Sequence, residues 1–309
     1  MPGAYAHIAV VNVARETEGL EAAGLDRTAI AGVLDYLNYC ELGAVSPDYP
    51  YLDVLHPAQK QWADAMHYER TGALIQAGVR RVATMTGELQ RKCLSWLLGY
   101  AAHVTTDTTI HPVVEKKVGP YKGHERAHRE CEMHQDVHTF ERRMALDVHY
   151  AEYLDTHIAK CATVAAPDRL DDDVAQLWVA MLTEVHPALA RTEPPNPGGW
   201  HRGFQFGIDK VAESSRRLVP IGRHIARCLS LTYPLTHEVD RGYVEALETP
   251  TGGRMSYDEI FDKAVMNVRE QWRVLSEGVL RGDRAYVAIG DWNLDTGKAG
   301  ANYVFWSVA

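Results

Sequence analysis

The chain is 309 residues long, which at roughly 150 residues per domain allows one large domain or two ordinary ones. Hydrophobic residues make up 46% and charged residues 24%, a balance that excludes a disordered chain, a collagen-like repeat or a disulfide miniprotein and predicts a folded, soluble one. The net charge of -9, from 32 Lys+Arg against 41 Asp+Glu, argues against a nucleic acid as a stable partner, because binding a phosphate backbone needs clustered positive charge.

Cys40, Cys93, Cys131, Cys161 and Cys228 form no CxxC pair, and their odd number and scatter predict reduced thiols rather than a disulfide framework. Residues Met1 to Val13 show no basic segment followed by an apolar core and cleavage site, and no apolar run approaches the ~20 residues of a membrane span. The cytoplasm is the simplest address, and export by a route that reads no N-terminal signal would leave the same sequence.

Helical spacing dominates in chain order. A helix is expected over 58–83, carrying Trp62, Met66 and Leu74, and another over 88–111, ended by Pro112. A third pattern starts near His124, with an apolar stripe at Met133, Val137, Phe140, Met144, Val148, Ala151 and Ile158. Helices are also expected over 171–190, 207–230 and 256–280, with short strands at Ala285 to Ile289 and Tyr303 to Trp306. The expected fold is therefore all-α, a multi-helix bundle with a few short strands near the C-terminus. It is read as a single helical domain over 1–309. EPPNPGGW, Glu193 to Trp200, cannot continue a helix and reads as a loop or linker before a C-terminal extension.

The chain holds 15 histidines, most of them before residue 160. CLSWLLGYAAHV, Cys93 to Val104, carries no formal charge, so this helix is apolar nearly all round and must be buried. His103, Asp107 and His111 then stack on one face about a turn apart. An ionised carboxylate in such a setting needs compensation, which a divalent metal or a hydrogen-bonded histidine network would give. On the next helix His128, Glu132 and Asp136 share a row at the edge of the core, whereas His134 and His138 lie on another row and read as solvated or supporting groups. His149 and His157 read as ordinary histidines.

The string His124-Glu125-Arg126-Ala127-His128 matches the HExxH of zinc proteases, with Glu125 as the base. The longer protease pattern has a Gly where Cys131 stands, and the apolar stripe continues the helix where a protease would leave it. Asp291-Trp292-Asn293-Leu294-Asp295-Thr296-Gly297 has its Gly one place late for a calcium loop and no following Glu, and reads as a turn.

Taken together, PGAYAHI, SPDYPYL, ADAMHYERTG, GYAAHVTTDTTIHP and AHRECEMHQD resemble the zinc-dependent phospholipase C family, whose fold is shared with P1-type nucleases. The resemblance spans about 1–160 and implies that the multi-helix bundle surrounds a buried metal cluster of two to three zinc ions, its metal core contributed by 1–140. By motif, Asp48, His67, His103 and Asp107 would hold one zinc; His111, His128 and Glu132 a second; and His7 with bridging Asp107 a third. Secreted members complete the third site with the amine of a cleaved N-terminal Trp, whereas this chain begins Met1-Pro2. The Asp107 to His111 gap is also shorter than theirs. The resemblance further implies hydrolysis of a phosphodiester, a phospholipid foremost, by a metal-bound hydroxide, with Asp48 as general base and Glu132 as the other catalytic carboxylate. A nuclease or phosphatase of the same fold, which would use rings such as Tyr49, Tyr51 and Tyr68 to stack bases, and a non-catalytic zinc-stabilised protein remain alternatives.

Overall fold

The computed structural model describes residues 4–53, 56–144, 157–163, 166–205 and 233–306. Among these residues the chain is mostly helical: α1 Ala4–Ala14, α2 Thr17–Ala22, α3 Arg27–Asp35, α4 Leu37–Val45, α5 Lys60–Tyr68, α6 Thr71–Val82, α7 Gly87–Val118, α8 Glu125–Met144, α9 Asp172–Val185, α10 Pro187–Thr192, a helical stretch over 197–205, and α11 Tyr257–Arg281. Three antiparallel pairs of short strands complete it, β1 Ala162–Thr163 with β2 Ala166–Leu170, β3 Leu247–Glu248 with β4 Arg254–Met255, and β5 Lys298–Ala299 with β6 Asn302–Tyr303. The first pair lies in mid-chain rather than near the C-terminus. The expected helix over 207–230, the stripe positions Val148 and Ala151, and Cys228 and His149 lie outside the described residues.

α7 is the axis of the fold. Every residue from Cys93 to Val114 is buried, and α1, α3, α4, α6, α8, α9 and α11 all pack against it. The uncharged run from Cys93 makes this possible, because no face of the helix there must reach water. The closest approach is made by α4. A Cβ on Gly99 would stand 1.9 Å from the Cys40 carbonyl oxygen, and one on Gly43 2.1 Å from that of Trp96. Two facing glycines thus let the backbones touch, and the contact brings the end of α4 and the turn Ser46–Leu52 beside the middle of α7.

Several predicted boundaries move. The helix expected over 58–83 breaks at Glu69 and Arg70, where Arg70 takes a left-handed φ of 53°. Asp291 then accepts the N–H groups of Gly72 and Ala73, Thr71 and Trp292 exchange bonds of 2.9 and 2.7 Å, and Arg70 bonds the Val185 carbonyl. The start of α6 is capped by a residue more than two hundred positions away, a cap that local sequence cannot announce.

Pro112, expected to end the second helix, lies inside α7, which runs on to Val118. A proline withholds one N–H and crowds the preceding turn. Here Gly297, at φ 64°, lays its Cβ-less face against Pro112 and the Thr108 carbonyl, while the Trp306 indole N–H donates to the Thr109 carbonyl at 2.8 Å. The C-terminal segment thus supports the helix at the point where the proline weakens it.

The helix expected over 171–190 divides at His186, since the residue before Pro187 is pushed out of helical geometry. Ala285 to Ile289, expected as a strand, begins with the tight turn Ala285–Ala288, started by Asp283 accepting the Ala285 N–H. In the Tyr303 to Trp306 stretch only Tyr303 pairs, through β6. Glu193 to Trp200 does turn the chain, but Gln59 and Trp62 hold it at Glu193, Pro194, Asn196 and Trp200. Cys40, Cys93, Cys131 and Cys161 are buried free thiols.

Candidate metal centre

The eight predicted ligands come from five elements and meet in the interior. His7 lies on α1, Asp48 on the turn Ser46–Leu52, and His67 in the last turn of α5; His103, Asp107 and His111 lie on α7, and His128 and Glu132 on α8. His7, His67, His103, Asp107, His111 and His128 are at most 2% exposed and Glu132 is 6% exposed.

Asp107 is the hub. Its Oδ1 stands 3.2 Å from His7 Nε2 and 3.9 Å from His111 Nε2, and its Oδ2 stands 3.2 Å from His103 Nε2 and 3.8 Å from His67 Nε2. Asp48 Oδ1 lies 3.4 Å from His67 Nε2. Glu132 Oε1 is 3.9 Å from His111 Nε2 and 3.8 Å from His128 Nδ1. The rings of His7 and His103 stack with centroids 4.0 Å apart.

Backbone carbonyls set the direction in which the histidines point. Nδ1 of His67 donates to the Ala63 carbonyl at 2.7 Å, Nδ1 of His103 to Ala44 at 2.8 Å, and Nδ1 of His111 to Leu294 at 2.8 Å. His128 uses the other nitrogen, donating Nε2–H to the Gly119 carbonyl at 2.7 Å. A carbonyl can only accept, so the nitrogen facing it carries the proton and the opposite nitrogen is turned toward the cluster.

Burial opposes each charge in the cluster. It would raise the Asp107 carboxyl, yet the imidazoles of His103, His111 and His7 hold that group well below the usual carboxylate range. Burial likewise opposes Asp48, which His103 and His67 hold low. Among the imidazoles, burial would lower His103, but the Asp107 and Asp48 carboxylates bring it up to about 9. Burial pushes His111 down to about 4, and burial with the neighbouring His103 lowers His7.

Hydrogen bonding leaves the inner face of the cluster unsatisfied. Both nitrogens of His7, both oxygens of Asp107, Asp48 Oδ1, His111 Nε2 and His128 Nδ1 are buried atoms without a well-formed hydrogen-bond partner among the described residues. Buried polar atoms in that state cost about 1–3 kcal/mol each, and this many converging on one place call for a cation. Two subsets have ligand atoms all within 4.8 Å of one another, Asp48 with His67 and His103, and His7 with His103 and Asp107. These residues fit zinc, which takes imidazole nitrogen and carboxylate oxygen. His103 belongs to both subsets, so His7 groups with His103 as well as with Asp107.

Other predicted groups fall elsewhere. Asp136 does not face the cluster; it accepts the Ala6 N–H and the Tyr233 hydroxyl, each at 2.9 Å, and burial pushes its carboxyl up to about 8. His124 is exposed, precedes α8, and donates to the Pro120 carbonyl, while exposed Glu125 accepts the Gly123 N–H. Of the HExxH string only His128 faces the cluster, so its two histidines do not share a metal site. His134 is buried and accepts the Asp240 N–H, and His138 sits 3.3 Å from Asp258. His157 meets buried Glu41 at 3.0 Å.

The residues that sequence reading missed are mostly backbone. The carbonyls of Ala44, Ala63, Gly119 and Leu294 carry no side-chain signature. In the turn from Asp291, Leu294 donates its N–H to the His67 carbonyl at 3.1 Å besides accepting from His111. The side chains of Asp291, Asn293 and Asp295 diverge: Asp291 toward α6, Asn293 back to Thr296, and Asp295 toward His111. They do not form a calcium loop.

The sequence model of the family described as zinc dependent phospholipase C matches residues 6–188. That span holds all eight cluster residues and ends well before Leu294. Among curated proteins and among solved structures, nothing matches the chain. Since the match covers more than half of the 309 residues, the chain belongs to the zinc dependent phospholipase C family.

Proposed function

We propose that the protein is a zinc-dependent phosphodiesterase with a phospholipid as substrate. Asp48, His67, His103 and Asp107 would hold one zinc, His111, His128 and Glu132 a second, and His7 with Asp107 and His103 a third. The observation that carries this reading is the set of buried, unsatisfied nitrogen and oxygen atoms around Asp107. When bound, zinc supplies Lewis acidity, which acidifies water and neutralises phosphoryl oxygens.

The chain's own residues have distinct roles in this reading. Asp107, with a fully buried side chain, supplies negative charge between the imidazoles, while Ala44, Ala63, Gly119 and Leu294 fix their orientation. Asp48 has a side chain 20% exposed, against 0% for Asp107 and 7% for Glu132. A carboxylate that is ionised, at the edge of the cluster and reachable by water is placed to accept a proton from the attacking water. Glu132, reached by both His111 and His128, fits a holding role better than a proton-transfer role. Tyr49 is fully buried against Phe204, so of the rings near the ligand segments Tyr51 and Tyr68 remain for substrate contact.

The test combines elemental analysis with turnover of nitrophenyl phosphocholine and of single-stranded DNA. Two to three zinc ions per chain and turnover of the phosphocholine ester alone are expected. Less than one zinc per chain in folded protein, with no activity after zinc is added, would remove the cluster, and preferential cleavage of DNA would replace the substrate.

A further inference from the structure

The turn Asp291–Gly297 touches the candidate centre from outside the matched family span. Leu294 ties together two ligand-bearing helices, donating to the His67 carbonyl on α5 and accepting from His111 Nδ1 on α7. Asp295 follows it, with a side chain 19% exposed and Oδ1 4.0 Å from the same His111 nitrogen. Tyr68, the residue after His67, has its phenol pushed up first by burial and then by the Asp295 carboxylate.

The turn itself does not account for Asp295. The bond that closes it is made by Asn293 Oδ1, which accepts the Thr296 N–H at 2.9 Å. Asp291 is occupied at the start of α6. Asp295 Oδ1 is instead a buried oxygen without a hydrogen-bond partner among the described residues, and His111 is the imidazole beside it. The Leu294 carbonyl accepts the Nδ1–H at 2.8 Å, and a carboxylate 4.0 Å from the same nitrogen acts on it through space, favouring the tautomer with Nδ1–H outward and the Nε2 lone pair inward.

We infer that Asp295 is a positioning residue for the metal centre, acting through His111 from a C-terminal turn that completes the wall of the site. The inference rests on the zinc reading given above. It assigns to the C-terminal part of the chain a share in metal affinity, so the region matched by the family does not build the centre alone.

Cobalt(II), a coloured substitute for zinc, tests this by titration of the full-length chelated protein while the visible absorption band is followed. Asp295→Asn, which keeps the side-chain shape, is expected to weaken one equivalent about 10-fold, the low end of the cost of losing an outer partner because the contact acts through space, and to alter that equivalent's band. The other equivalents and the melting temperature of the chelated protein should match wild type. Superimposable titrations and spectra for wild type and Asp295→Asn would overturn the positioning role while leaving the zinc reading intact. An equal weakening of every equivalent, accompanied by a lower melting temperature in chelator, would also overturn it, since that is the result of general damage. Wild type that takes up no cobalt or zinc would overturn the zinc reading itself and this inference with it.

Discussion

Asp107 concentrates the electrostatics of the protein in one side chain. Its carboxylate faces four imidazoles and is completely buried. Asp107→Asn keeps the shape but removes the charge, so the variant should lose at least one zinc and most activity, a larger effect than the roughly 10–100-fold cost of an outer partner. If Asp107 served only a hydrogen-bonded network, the same change would cost about 1–3 kcal/mol and leave metal content untouched; zinc stoichiometry of the two proteins decides. On α8, Glu132→Ala should abolish activity and lower zinc content, whereas Glu125→Gln should change neither, because Glu125 is exposed and serves the helix start. Measuring both variants separates the phospholipase-type cluster from a protease-type one.

His103 gives the pH behaviour its sign. Its folded value is raised from 6.5 to about 9, so in metal-free protein the stability it contributes is fully present below about 6.5 and is lost as pH rises through about 9. A dication bound at Nε2 requires the neutral imidazole, so binding near pH 7 must release this proton. Zinc affinity should therefore rise steeply, roughly tenfold per pH unit for one released proton, between about 6.5 and 9. Calorimetric titrations in buffers of different ionisation enthalpy count the protons; a count of zero at pH 7 would contradict the assignment of His103.

At the scale of elements, the crossing of α4 and α7 has both a packing and a functional consequence. Gly99 admits the Cys40 carbonyl, and one turn further along α7 His103 reaches the Ala44 carbonyl on the same neighbour. Gly99→Ala should therefore cost about 1–3 kcal/mol by overpacking and also weaken zinc, since the helix that orients His103 must move. Thermal melts with and without chelator check it. Retained zinc affinity in a destabilised Gly99→Ala protein would show that the crossing supports the fold without guiding the site. The same scale explains the helix boundaries that sequence missed: Arg70 and Pro112 each sit where a distant C-terminal group, Asp291 or Gly297 with Trp306, supplies the local bonding.

For the whole molecule, a cluster built from α1, the turn after α4, α5, α7 and α8 ties together segments spread over more than a hundred residues, so metal binding belongs to the folded state alone. A ligand at a hundred times its dissociation constant adds about 2.7 kcal/mol per site. For a chain of this size chelation should lower the melting temperature by about 5 °C or more, and added zinc should restore it. An unchanged melting temperature in chelator would mean that these histidines hold no metal. Among the described residues no helix is long and apolar enough to cross a membrane.

The sequence by itself determined the helical class, the burial of α7, the stacking of His103, Asp107 and His111, and the order of the remaining ligand-type residues. These follow from local periodicity and composition, which a helix converts directly into faces. Only the tertiary structure decided that Asp136 turns to the N-terminus of α1, that His7 joins His103, that α7 passes through Pro112, and that Leu294 bonds both His67 and His111 with Asp295 beside it. Each of these depends on a backbone group or a glycine contact between segments remote in sequence, and such partners leave no periodic trace in the residues that they serve.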